Sequence, residues 1–137
     1  MKTTKIFLGV LIIGAFVILN SCGGSGSSSS PASTVKEFST KVEKGDFDGA
    51  IGCIATEGKA LDKDAKSKLT LLLGMAKGEV DKKKGIKNME VISETIEPDG
   101  KTATVKIKFT YGDGSVNEES NSLVKEDGKW KLSLQKK

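Results

Sequence analysis

Four hydropathy regimes follow one another along the chain. From Ile6 to Leu19 the run IFLGVLIIGAFVIL is uncharged and mostly apolar, behind the two lysines of MKTTK. From Gly23 to Ser30 the chain reads GGSGSSSS, without one apolar side chain. Between Pro31 and Val80 apolar residues recur at helical spacing, and from Ile86 onward the period changes to two. The pattern therefore places a greasy leader and a polar leash ahead of a helical half and a strand-forming half.

Within the helical half, Pro31 suits a first helical position with Ser30 as its cap, and Val35, Phe38 and Val42 share one face until Gly45 ends the run. Asp46 caps a second short helix carrying Phe47, Ala50, Ile51 and Ile54. Gly49 and Gly52 weaken that helix by about 1 kcal/mol each relative to alanine. The stretch LDKDAKSKLTLLLGMAKGEV predicts a longer third helix with Leu61, Ala65, Leu69, Leu72, Leu73, Ala76 and Val80 on its buried face. In the second half, Met89 to Ile96 is rich in β-branched residues and stops at the turn Pro98-Asp99-Gly100-Lys101. TATVKIKFTY then alternates, with Ala103, Val105, Ile107, Phe109 and Tyr111 on one dry face. GDG at 112–114 turns the chain into a polar strand over 116–125, and Asp127-Gly128 makes a hairpin turn into KWKLSL, with Trp130, Leu132 and Leu134 inward. Three helices followed by a four-stranded antiparallel meander predict an α+β fold with the helices packed on one face of the sheet.

The leader changes the picture from fold to location. A helix of about fourteen residues is roughly 21 Å long, short of the ~30 Å hydrocarbon core that a spanning helix must cross, so residues 1–21 read as an export signal. Leu19-Asn20-Ser21-Cys22 resembles a bacterial lipobox, although Asn20 departs from the usual small or aliphatic residue. The resemblance implies that Cys22 carries diacylglycerol after cleavage and is the lipid attachment point, with a further acyl chain making retention effectively permanent. Residues 22–30 are then the lipidated cysteine and a tether, whose eight Gly and Ser residues span roughly 14–17 Å as a flexible coil. Residues 31–137 form a single domain. No acidic run follows the cysteine, and the expected location is the outer membrane, facing the periplasm.

Composition excludes more than it supports. The chain has 22 basic residues against 18 acids, every basic residue is lysine, and there is no arginine or histidine. Histidine general-base chemistry, histidine metal ligation and bidentate arginine recognition are all excluded. No metal or other cofactor is expected. Lysines scattered among acids make no basic stripe, and one Trp and one Tyr offer little stacking, so nucleic acid is not an expected partner.

Two segments carry a family resemblance. SPASTVKEFSTKVEKGDFDGAI and LVKEDGKWKLSL are similar to small bacterial lipoproteins grouped as a domain of unknown function, once labelled lumazine-binding-like, within the nuclear-transport-factor-2-like superfamily. KGDFDGA and KEDGKWK are the most specific pieces, and neither is catalytic. The resemblance covers about residues 31–135 and implies a curved sheet wrapped around a long helix as a half-open cone, with no established activity.

The remaining candidates are weighed on their residues. Cys53 reads as a small buried hydrophobe, since no histidine, arginine or second cysteine is there to activate or pair it. DGSVNEE at 113–119 has alternating oxygen side chains, but a calcium loop needs glycine where Glu118 stands and an acid where Val124 stands. GMAKG at 74–78 matches a small-residue packing pattern without its long apolar context, and DKKKG at 81–85 reads as a solvated helix end. Tyr111 and Trp130 fall on dry faces, and in an open cone they would line its mouth with Phe109 and Leu132. The expectation is a non-enzymatic, membrane-tethered envelope protein that binds a small apolar ligand or another envelope protein. The alternative is an isomerase or dehydratase in which Tyr111 donates to a developing oxyanion beside a tuned carboxylate. Oligomeric state is left open.

Overall fold

The computed structural model describes residues 30–135. The expected export signal, Cys22 and nearly all of the expected Gly/Ser tether lie outside the described residues.

Helix α1 spans Pro31–Lys44, with Pro31 in its first turn and the Ser30 hydroxyl accepting from Ser33 N–H at 3.2 Å. Gly45 closes it in the left-handed region at φ 79°, where its N–H donates to Val42 O at 3.0 Å. Helix α2, Phe47–Ile51, is capped by Asp46 accepting from Gly49 N–H at 3.0 Å. Helix α3, Lys63–Lys82, is capped by Asp62 accepting from Ala65 N–H at 2.7 Å. Strands β1 (Ile86–Ile96), β2 (Thr102–Tyr111), β3 (Val116–Glu126) and β4 (Lys129–Leu132) follow as an antiparallel meander in the order β1-β2-β3-β4.

Alternation sorts the sheet into two faces. Ala103, Val105, Ile107, Phe109 and Tyr111 are all buried and meet Leu123, Trp130 and Leu132 beneath α1. The opposite face is solvated and carries the pairs Lys106–Glu118 at 3.1 Å and Lys108–Glu90 at 3.7 Å. Strand β1 shifts register twice, between Ile86 and Asn88 and between Val91 and Ser93, and such bulges bend a sheet.

The bend is also visible from α1. Ala32 N–H donates to the Glu94 carboxylate on β1 at 2.9 Å, and two residues later the Thr34 hydroxyl donates to Trp130 O on β4 at 3.3 Å. In a flat sheet these outer strands would lie roughly 14 Å apart, three strand spacings, so both reach one helix end only because the sheet curls around it. Beyond β4, residues 53–55 cover the exposed edge, with Leu132 N–H donating to Cys53 O at 2.8 Å and Ala55 N–H to Leu132 O at 2.7 Å. Among the described residues, every member of the two apolar clusters lies between Ala32 and Leu132, so both clusters are built within this unit.

Two expectations are corrected. Helix α3 leans on α1 and α2 and does not lie across the sheet. Leu73 is its one buried residue, and Leu72, expected inward, is 59% exposed. The physical reason is that TLLLGM is apolar around most of the helix, and of the apolar residues of α3 only Leu69, Leu73 and Val80 pack into the two apolar clusters. Leu134, also expected inward, is exposed because pairing ends at Leu132.

Candidate functional site

Where α3 leans away from the sheet, a gap remains. Phe38 and Val42 of α1, Leu73 and Val80 of α3, and Ile86, Phe109 and Tyr111 of the sheet line a half-open cavity of about 140 Å³. Its far wall is fixed by the crossing of two turns, in which Gly112 N–H donates to Gly85 O and Asp113 N–H to Lys83 O, each at 2.9 Å. A Cβ on Gly112 would run into the Lys84 carbonyl, so the close approach needs glycine there. Glu43 adds a second tie, accepting from Ile86 N–H at 2.8 Å.

The sheet residues singled out from sequence separate into two groups. Phe109 and Tyr111 line the cavity, their ring centroids 6.3 Å apart, and Lys83 Nζ sits 4.5 Å from the Tyr111 ring centre as a cation–π contact. Trp130 and Leu132 do not reach it. They pack under Val35 at the other end of the sheet, with Lys125 Nζ 5.4 Å from the Trp130 ring centre. Trp130 is packed into the core, and the cavity opens beneath Tyr111.

Strand β3 brings in residues that the hydrophobic pattern passed over. Its inner face carries Asn117, Glu119 and Asn121, paired in register with Phe109, Ile107 and Val105. Glu119 stands at the cavity rim, and its carboxylate accepts from Asn117 Nδ2 at 2.8 Å. Asn121 Nδ2 is buried and has no hydrogen-bond partner among the described residues. Counting the register outward from the GDG turn is the signal that locates them, because it places Glu119 opposite the inward Ile107 despite its setting in NEES. The next residue back, Glu118, points to the other face and pairs with Lys106.

The chemistry available is limited. Thr34 is the one buried polar residue among the described residues, so no Asp or Glu is buried beside Tyr111. No group of three His, Cys, Asp or Glu side chains among them could hold a metal. The Cys53 thiol is buried and hydrogen-bonded at 3.5 Å to Gly49 O, and burial pushes its pKa up. A wider groove of about 500 Å³ lies between α2 and the β3–β4 hairpin. Its polar groups largely satisfy one another, since Lys66 pairs with Asp48 at 2.8 Å, Lys131 donates to Gly52 O, and Glu126 accepts from Thr56 and Glu57 N–H. The cavity under Tyr111 is the better candidate because it is mostly apolar with one charged handle.

Residues 20–133 match the domain of unknown function DUF4878. The chain belongs to this family. No curated protein matches this DUF4878 chain. Among solved structures it is similar to a Campylobacter jejuni protein with the provisional name NTF2-like transpeptidase, at 18% identity and a TM-score of 0.67, covering 77% of this chain and 98% of that one. It is also similar to a SEC-C motif containing protein from Rhodopseudomonas palustris, at 16% identity and a TM-score of 0.53, covering 79% and 78% of the two chains. At these identities the likeness is one of fold, and DUF4878 here has the nuclear-transport-factor-2-like α+β cone.

Proposed function

We propose that this DUF4878 protein is a non-enzymatic binding module of the bacterial envelope, tethered through a lipid on Cys22, that takes a small apolar ligand in the cavity under Tyr111. The observation that carries the reading is a cavity of about 140 Å³ with aromatic and aliphatic walls and a single carboxylate at its rim. Apolar cavities of about 150 Å³ accept a molecule of benzene's size. Burying about five carbon groups at ~0.8 kcal/mol each contributes about 4 kcal/mol, which corresponds to a Kd near 1 mM for a minimal probe. The natural ligand gains affinity by extending over the rim. The lipobox-like Leu19–Cys22 and the Gly/Ser tether support attachment to the outer membrane, facing the periplasm.

Enzymatic readings lack their equipment. An isomerase or dehydratase of this fold needs a carboxylate tuned by an apolar pocket, and the acid nearest Tyr111 in the cavity wall, Glu119, is exposed. The transpeptidase name of the Campylobacter jejuni neighbour does not carry over on fold alone, and the Cys53 thiol is buried without a base. The test has two arms. Residues 30–137 incubated with envelope extract and examined by native mass spectrometry should retain a small molecule, and Ala76→Trp, which puts a bulky ring at a position lining the cavity, should weaken its retention. Repeated recovery of bare protein would sink the binding reading. Cys22→Ala should release the protein from the membrane fraction, and unchanged retention would remove the anchor.

A further inference from the structure

Glu119 differs from Glu118 and Glu90 on the outer face of the sheet. Each of those two has a lysine ammonium within 4.0 Å. Glu119 has none among the described residues, although lysine is abundant, and its one side-chain contact is the Asn117 amide on its own strand. Its place on the inner face puts it out of reach of the lysines of the outer face. The carboxylate thus stands at the edge of an apolar cavity, oriented by an amide and without a counter-ion.

A second polar side chain of the wall points to the same chemistry. Ser39 lines the cavity, and its hydroxyl proton is committed to Val35 O at 2.9 Å. Ser39 Oγ can therefore offer only lone pairs inward. The wall presents acceptors from Glu119 and Ser39 and rings from Phe38 and Phe109, while the Tyr111 ring already carries Lys83 Nζ at 4.5 Å. An ammonium group supplies three donors and a positive charge, and both acceptors and ring faces attract it. A carboxylate ligand would face Glu119 with like charge.

We infer that the ligand class is a primary ammonium compound with an apolar body of about benzene's size, the body in the cavity and the ammonium group on Glu119 and Ser39. The inference rests on the reading of the cavity as a ligand site and deepens it. Because Glu119 is exposed, the preference is moderate and salt-sensitive.

The probes are benzylammonium, benzyl alcohol and benzoate, titrated into residues 30–137 in an amine-free buffer of low ionic strength and followed by NMR shifts of Phe109, Tyr111 and Leu73. Benzylammonium is expected to bind about five- to tenfold more tightly than benzyl alcohol, with the preference lost in Glu119→Gln and reduced in 1 M salt. Equal binding of benzylammonium and benzyl alcohol overturns the amine inference and leaves the cavity reading standing. Tightest binding of benzoate does the same. Silence from all three probes overturns both. Should Glu119→Gln fail to fold, the salt dependence of the wild-type preference decides, since a preference unchanged at 1 M salt excludes the carboxylate as its source.

Discussion

Thr34 is the one polar residue buried as a whole among the described residues, at 1% exposure, and it pins the start of α1 to β4. Thr34→Val keeps the shape and deletes the donor. The hydroxyl is shared between Trp130 O at 3.3 Å and Ser30 O at 3.4 Å, both long, so the lost attraction is at the lower end of the usual range, about 0.5–1 kcal/mol. Leaving the buried Trp130 carbonyl without this donor adds a desolvation cost, which brings the expected loss to about 1–2 kcal/mol. For a domain of this size that lowers Tm by about 5–10 °C. Trp130 is the only tryptophan and is 6% exposed, so its emission reports unfolding directly in a urea titration. The midpoint should fall with an unchanged slope, because the surface exposed on unfolding is the same. A Thr34→Val protein as stable as the parent would refute the claim that this bond stabilises the docking of α1 on β4.

Three further outcomes are expected. Gly112→Ala should destabilise by more than 1 kcal/mol, because its Cβ meets a backbone carbonyl that cannot swing aside; a thermal melt within 2 °C of the parent would contradict the close approach. Cys53 should resist a thiol reagent in the folded state, where burial pushes its pKa up, and react once urea passes the unfolding midpoint; fast native labelling would show that the site opens. Asp113 is held below its ordinary pKa by the Ser115 hydroxyl and N–H, and Asp99 by Lys101 and Thr102 N–H. A depressed folded pKa contributes stability above the unfolded value of about 3.8 that is lost as pH falls through the folded one. Asp113→Asn should therefore flatten the decline in stability below about pH 4, and an unaltered acid limb would disprove the turn's share in it.

Much of this architecture was legible because local signals agreed. Gly45, Asp46, Pro98-Asp99-Gly100 and Asp127-Gly128 each punctuate the chain where the structure turns, and the alternation from Ala103 to Tyr111 sets the inner face. Helix α3 was harder, since Leu71, Leu72, Leu73 and Met75 give no single apolar side and only tertiary contact selects Leu73. Half of the site followed from alternation, through Phe109 and Tyr111. Trp130 and Leu132 share that alternation but sit at the far end of a curved sheet, and curvature is set by bulges and helix contacts that no period reports. Glu119 was hidden because both faces of VNEESNS are polar, so its strand shows no period of its own.

The pin between Thr34 and Trp130 joins residues 96 positions apart. The hairpins of the meander can pair as they are made, each across a short turn. Helix α1 is synthesised before any of them, yet Val35 can be covered only after Trp130 and Leu132 exist. Closing so long a loop comes late because its entropic cost precedes its contacts. The polypeptide thus remains without a finished core until β4 is available, so a chain stopped short of Trp130 holds its helices and hairpins without the contacts that bind them together.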